Sequence, residues 1–391
     1  MTQHRADRVY LDYNATALVR PEAAAAIAHA LEVGGNPSSV HAAGRAARAL
    51  VEQARAEVAA LIAAPSSTLV FTSGGTEANA LAMESAIAAG SKRLLISAVE
   101  HDSIQETAHA SGVAFEEIPV DRSGRADLIW LAERLARWDP SDGKPFVALM
   151  LANNETGVIQ PVAEAAELVH AADGWLHVDA VQATGKIAVD SRRLGADTLS
   201  ISAHKIGGPQ GVGALTFGPR ATLSRRQHGG GQERGRRGGT ENVPGINGFG
   251  AAAEVARQAL ERPVDAEEKQ AWRDAAAERL KAAGAVIIGE AAPRLPNTLC
   301  VATLGFASDT QVMALDLAGV MVSAGAACSS GKVKQSPVLA AMGQGGLAAC
   351  GIRVSGGWKT TEADWARFVE AWSEAHQRHA ARRAPAAAGV A

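Results

Sequence analysis

A chain of 391 residues, 47% hydrophobic and 20% charged, exceeds one ordinary domain and suits roughly two domains that share an interface. Its formal net charge of -3 argues against a general binder of nucleic acid or of membrane surfaces, and no segment approaches the ~18–20 uninterrupted apolar residues of a membrane span. The three cysteines, Cys300, Cys328 and Cys350, are too sparse for a disulfide framework, and no Cys-x-x-Cys or paired-His spacing suggests a metal site.

The amino terminus, MTQHRADRVYLDYNATA, has no apolar centre of the secretory kind, so a cytoplasmic protein with free thiols is expected. Two helical patterns follow, PEAAAAIAHALE and GRAARALVEQARAEVAALIAA. From about Ser67 to about Phe217 short apolar runs alternate with helical ones. TLVFTS, RLLISAV, FVALMLAN, GWLHVDA, DTLSISAH and VGALTFG read as strands; EANALAMESAIAAG, DLIWLAERLARW and PVAEAAELVHAA read as helices. That alternation predicts an α/β fold with a mostly parallel sheet buried on both faces, its ligand at the carboxyl ends of the strands. Residues 219–245, with SRRQHGGGQERGRRGGTENVPG, form a loop too long for a simple connector. The helix INGFGAAAEVARQALE comes next. After about residue 262 a smaller α+β domain is expected, with strands AVIIG and NTLCVATL, a helix TQVMALDLAG and a glycine-serine loop. The tail RHAARRAPAAAGVA reads as frayed.

Several strand ends carry polar residues suited to chemistry. Lys205, in SAHKIGGPQGVGAL, is either a loop-edge lysine or a Schiff-base lysine made less basic by its surroundings. Gly74-Gly75-Thr76 joins a strand to a helix; it is either a capped turn or an anion site built from free backbone N–H groups. Asp179 ends WLHVDA and is followed by Gln182; it caps a helix or sits under a protonated pyridine nitrogen. His101, in SAVEHDSI, could stack on such a ring and move protons. Asn153-Asn154-Glu155 closes another strand in the manner of a site floor.

Taken in order, SGGTEANALAM, EHDSI, NNETGVIQPV, HVDAVQATGK, SAHKIGGPQGVGAL, RRGGTENV, AACSSG and GIRVSGG resemble the cysteine desulfurase family, NifS- and IscS-like members of the class V aminotransferase-like enzymes. The resemblance runs from LDYNATALVRPE to the glycine after Arg353. It implies a fold-type I pyridoxal 5'-phosphate (PLP) enzyme, with a large domain over residues 15–262. Residues 1–14 and 263–391 would form the small domain, with a mobile cysteine loop at about 323–336. By resemblance Lys205 would bind the cofactor covalently, Asp179 would pair with the pyridine nitrogen, and Gln182 and Asn154 would lie near the phenolic oxygen. His101 would lie against the ring and transfer protons. Gly75, Thr76, Ser202 and His204 would hold the phosphate, helped across a homodimer interface by Thr240 of a second copy. Arg353 would grip the substrate carboxylate, with Asn36 as a further candidate.

The thiol separates this activity from its relatives. Cys328, in SAGAACSSGKVKQSPVLAAMG, is flanked by Gly, Ser and Lys, which favours an exposed, mobile nucleophile over a buried hydrophobe. Cys300, in an apolar strand, reads as structural; Cys350, three residues before Arg353, either packs or reaches the site, with packing the favoured reading. The implied reaction removes sulfur from L-cysteine, giving L-alanine and a persulfide on Cys328. The ACSSG style of loop is associated with handover to a sulfur-acceptor or iron–sulfur scaffold protein. Two features depart from the family: glycine in SGGW after Arg353, and no recognisable carboxyl-terminal extension of the kind that docks scaffolds. A selenocysteine lyase or other β-eliminating relative is the alternative, and the long Cys328 loop counts against it. A relay protein without catalysis is disfavoured by the intact motifs. A nucleic-acid binder is disfavoured because RRQHGGGQERGRR has no interleaved aromatics.

Overall fold

A computed structural model describes residues 8–325 and 335–383. In chain order its first elements are β1 (Val9–Tyr10), α1 (Pro21–Val33), α2 (Ala42–Leu61), β2 (Leu69–Thr72), α3 (Gly75–Ala88), β3 (Arg93–Ser97), α4 (Asp102–Ser111) and β4 (Ala114–Ile118). There follow α5 (Leu128–Ala136), β5 (Phe146–Ala148), α6 (Val162–Ala171), β6 (Trp175–Asp179), β7 (Thr198–Ser202), β8 (Gly213–Phe217) and α7 (Val243–Leu260). The last group is α8 (Pro263–Ala282), β9 (Val286–Ile288), β10 (Thr298–Ala302), α9 (Ser308–Leu317), β11 (Val320–Met321), β12 (Ser323–Ala324), α10 (Pro337–Ala341), β13 (Ile352–Ser355) and α11 (Glu362–Arg383).

The large sheet has the order β2-β8-β7-β6-β5-β3-β4, parallel throughout except for β8, which runs antiparallel to both β2 and β7. Every residue of β5, β6 and β7 is buried, which is why these strands are continuous apolar runs. Side chains alternate between two cores. Leu95, Val147, Leu176 and Leu199 face the layer that contains α2, α6 and α7, while Leu94, Ile96, Phe146 and Trp175 face α3 and α4. β4 went unseen in the sequence because AFEEI is a half-exposed edge strand whose Glu116 is bound to Arg93 and Arg134.

The second core is built on the antiparallel sheet β12-β13-β10-β9, with Leu299, Val301 and Val354 packed against Leu280 of α8, Leu315 of α9 and Trp372 of α11. β1 pairs in parallel with β11, and after it the chain crosses to the large sheet. A third cluster joins the two: Val99 and Met150 of the large domain pack with Ile288, Cys300, Leu339 and Met342. The RHAARR segment expected to fray is helical as far as Arg383, an extension favoured by its alanines and arginines. The rest of that tail, residues 384–391, lies outside the described residues. Among the described residues no helix is long and apolar enough to cross a membrane.

The arginine-rich loop is fixed to the edge of the sheet by a buried ion pair. Arg55 of α2 donates to Glu233 through both terminal nitrogens at 2.7 and 2.8 Å, and Glu233 also accepts from the Phe71 N–H at 2.9 Å. Glu233 and Arg234 both have positive φ, 46° and 58°, a backbone strain retained because the ion pair dictates where the carboxylate must be. The anchor sits on β2, just before the turn into α3, so it supports the site below. Replacing Arg55 by Met should leave Glu233 buried and unpaired, and lower stability by about 3–5 kcal/mol. Urea unfolding followed by tryptophan fluorescence checks this; a loss below about 1 kcal/mol would mean that the pair does not anchor the loop.

Candidate active site

The carboxyl ends of β2, β6 and β7 converge with the amino terminus of α3. Gly74 caps α3 with no side chain, which leaves the first-turn N–H groups of Gly75 and Thr76 directed out of the helix. A Cβ on Gly75 would meet Val181 Cγ2 at 2.8 Å and lie 3.7 Å from Ser202 Cβ, so only glycine lets these groups close. The Ser202 hydroxyl, at the end of β7, is buried with no hydrogen-bond partner. Ala15, Thr16, Gly75, Thr76, Ser202 and His204 line one hollow. Helix N–H groups, an orphaned hydroxyl and small residues together make a cradle for an anion of phosphate type.

Lys205 follows in the short turn after β7. Its Nζ donates to the carbonyls of Asn14 at 2.5 Å and Ala15 at 2.9 Å. Burial lowers its pKa to about 8, with the Arg353 cation acting in the same direction and the Asp179 and Asp12 carboxylates opposing. His204 falls to about 4, through burial and then the charges of Lys205 and Lys186; its Nδ1 is 3.3 Å from Thr16 Oγ1.

Asp179 is buried at the end of β6, where Oδ2 accepts from Asn79 Nδ2 at 2.8 Å and Oδ1 from the Val181 N–H at 2.9 Å. Beside it, the buried Glu100 carboxyl is held well above its ordinary range, by burial first and by the Asp179 charge second. His101 caps α4, its Nδ1 accepting from the Ser103 N–H at 3.0 Å, and it lines an open cleft with Thr76 and Ser103.

Lys186 and Asn14 were not singled out as site residues from the sequence. Lys186 Nζ donates to Asn14 Oδ1 and Gln182 Oε1, each at 2.8 Å, and burial, Lys205 and Arg353 push its pKa far below that of a free lysine. Gln182 Nε2 in turn donates to the Asn14 carbonyl at 3.0 Å. Asn14 Nδ2 reaches the Asn154 carbonyl at 3.2 Å and Thr298 Oγ1 at 3.0 Å, and so ties the group to β10. The signal for both residues was their presence in LDYNATA and HVDAVQATGK; no spacing rule reveals contacts between segments so far apart.

Arg353 lies buried on β13. Its Nη2 donates to Asp12 Oδ1 at 2.8 Å and its Nη1 to the Asn154 carbonyl at 3.4 Å, while Nε is buried without a partner. Asp12, also unflagged in the sequence, accepts in addition from Ser323 Oγ at 2.7 Å. Thr240 lines a neighbouring cavity with Phe71, Glu233 and Arg237, and not the hollow that holds Gly75 and Ser202. Asn36 is exposed after α1, accepts from the Ser38 N–H, and shares no hydrogen bond with Arg353 or Asn154 among the described residues. Cys300 and Cys350 are free and buried, and burial drives the Cys300 thiol strongly upward, as expected of structural thiols. Cys328 lies outside the described residues, with most of the loop expected around it.

The model of the class-V aminotransferase family matches residues 9–368. A cysteine desulfurase of Cereibacter sphaeroides is 44% identical over 373 residues, covering 93% of this chain and 94% of the relative. This chain belongs to the cysteine desulfurases of the class-V aminotransferase family. Another cysteine desulfurase, IscS of Dictyoglomus turgidum, is 38% identical and covers 91% of each chain. The NifS-like protein of Rickettsia africae has the same fold, with a TM-score of 0.86 at 33% identity over 95% of this chain and 99% of that one.

The depressed basicity of Lys205 has a direct consequence. In the cofactor-free protein its amine should react half-maximally near pH 8, because only the unprotonated form is a nucleophile and it is lost as the pH falls through about 8. Aldehyde trapping with borohydride across pH, followed by peptide mass mapping, measures this. Half-maximal labelling near the ordinary lysine value of about 10.4 would contradict it.

Proposed function

We propose that this cysteine desulfurase works with PLP held by Lys205, Asp179 and the Gly75–Ser202 cradle, and that Cys328 receives the sulfur. The observation that carries the reading is the buried Ser202 hydroxyl without a partner, at the amino end of α3 and three residues before a lysine of lowered basicity. That donor set suits a phosphate monoester whose aldehyde end meets an amine. Asp179 would face the pyridine nitrogen, and Gln182 and Asn154 the phenolic oxygen. When bound, the cofactor supplies an electron-withdrawing ring that stabilises negative charge at the substrate α-carbon.

The chain's own groups account for the remaining work. Arg353, oriented by Asp12 and with Nε still unmet, is suited to receive the carboxylate of L-cysteine. Lys205, poised near neutrality, can take and return the α-proton at Nζ. Asn14 holds that amine through its carbonyl and keeps it close to the cradle. His101 stands at the mouth of the cleft, where a proton can be exchanged at the sulfur. The Cys328 thiolate attacks the substrate sulfur; an S–S bond forms as the C–S bond breaks. The three-carbon fragment takes up a proton and leaves as L-alanine, and Cys328 keeps the sulfur as a persulfide. Among the described residues Thr240 lines a different cavity from the cradle, which supports a homodimer in which it completes the phosphate site of the second copy. The persulfide would then pass to a thiol of an acceptor or scaffold protein.

Single-turnover chemistry with L-cysteine and no added reductant tests this, with wild type beside Cys328→Ala. Wild type should release alanine while the peptide bearing Cys328 gains the mass of one sulfur atom; Cys328→Ala should release almost none. Equal alanine from both would assign the chain to elimination chemistry instead.

A further inference from the structure

Beneath Asp179 and His101 runs a buried network whose bond directions are settled at both ends. An indole can only donate, so Trp175 Nε1 donates to Thr198 Oγ1 at 2.9 Å, and the threonine hydrogen is left for His177 Nδ1 at 3.0 Å. A carboxylate can only accept, so the end of the Asn79 amide 2.8 Å from Asp179 Oδ2 is its nitrogen. The Asn79 oxygen then faces His177 Nε2 at 3.0 Å and Ser200 Oγ, and both must donate to it. The two ends agree: His177 carries its proton on Nε2. Burial lowers its pKa to about 3, so the ring is neutral throughout the working range.

The second hydrogen of Asn79 Nδ2 goes to Ser103 Oγ at 2.8 Å. The serine hydroxyl therefore donates onward to His101 Nδ1 at 2.9 Å, where the Ser103 N–H also donates at 3.0 Å. All four bonding positions of Asn79 are used, and the residue is 1% exposed. With Nδ1 accepting twice, the neutral His101 ring bears its proton on Nε2, the nitrogen left for chemistry.

We propose that Asn79 is a positioning residue that sets both flanks of the cofactor site, orienting the Asp179 carboxylate and, through Ser103, fixing His101 as the Nε2–H tautomer. His101 then enters the reaction as a proton donor at Nε2, and the proton-accepting role falls to Lys205. The inference rests on the reading that Asp179 and His101 flank PLP; the proton positions themselves do not.

Nitrogen-15 NMR of histidine-labelled, cofactor-free protein at about pH 9, above the ordinary histidine range, reads those positions directly. In wild type, His101 and His177 should each show a protonated Nε2 and an unprotonated Nδ1; a protonated Nδ1, or averaging of the two nitrogens, in either ring overturns the proposal. Asn79→Ala should move the His177 Nε2 signal, which loses its acceptor while Thr198 still donates to Nδ1, and weaken PLP binding about tenfold, the scale of one lost hydrogen bond to a charged group. Weaker binding with the His177 signals unchanged would reduce Asn79 to packing and overturn the proposal. Ser103→Ala should move the His101 signals alone, leaving His177 and PLP affinity as in wild type. If Asn79→Ala does not fold, Ser103→Ala decides: unchanged His101 signals overturn the proposal. An intact chain in a protein that releases no alanine from L-cysteine would count against the proposed function and not against this inference.

Discussion

Two half-buried lysines and a buried arginine gather around one asparagine, and much of the candidate site's architecture answers to that concentration of charge. Lys186 and Lys205 each reach Asn14 through an oxygen, while Arg353 meets it indirectly through the shared Asn154 carbonyl. Asp12 forms its ion pair with Arg353, burial holds the Glu100 carboxyl well above its ordinary range, and among the described residues no carboxylate pairs directly with either lysine. Buried cations stay charged only when paired, and otherwise lose basicity. The fold accepts the second outcome at Lys186 and Lys205. The N–H donors of these side chains, beside the open amino end of α3, suit anionic groups.

Asn14 also ties the small sheet to the loops that follow β6 and β7 of the large one. It belongs to the strand-to-helix passage after β1, which pairs with β11. Its backbone N–H donates to Ser355 Oγ and its side chain to Thr298, both in the small sheet, while its carbonyl receives Lys205 and Gln182 of the large one. A shift between the sheets would therefore be felt at the lysine amine. The apolar cluster of Val99, Met150, Cys300 and Met342 opposes that shift without directional preference, and the polar contacts around Asn14 set the register.

Much of the large domain was legible because its central strands are buried on both faces and so stand out as apolar runs between helical periods. β4 was hidden by the glutamates an edge strand can carry, and the last turns of α11 by their resemblance to a polar tail. The motif residues were found for a local reason: glycines at a strand-to-helix turn and polar groups at strand ends are visible in a window of ten residues. Asn14, Asp12, Lys186, Asn79 and His177 escaped because their roles exist only in three dimensions. Asn79 contacts Ser200 across 121 positions, and Arg353 contacts Asp12 across 341. Nothing in the spacing of either pair announces it.

Two half-buried lysines bind the same asparagine through their amines, and which of them meets the cofactor can be measured. Protein reconstituted with PLP, reduced with borohydride and digested would show which lysine carries the pyridoxyl group. The geometry predicts modification of Lys205 alone, beside the cradle of Gly75 and Ser202, with Lys186 untouched. The pyridoxyl group on Lys186, or on neither residue, would contradict the assignment of this site.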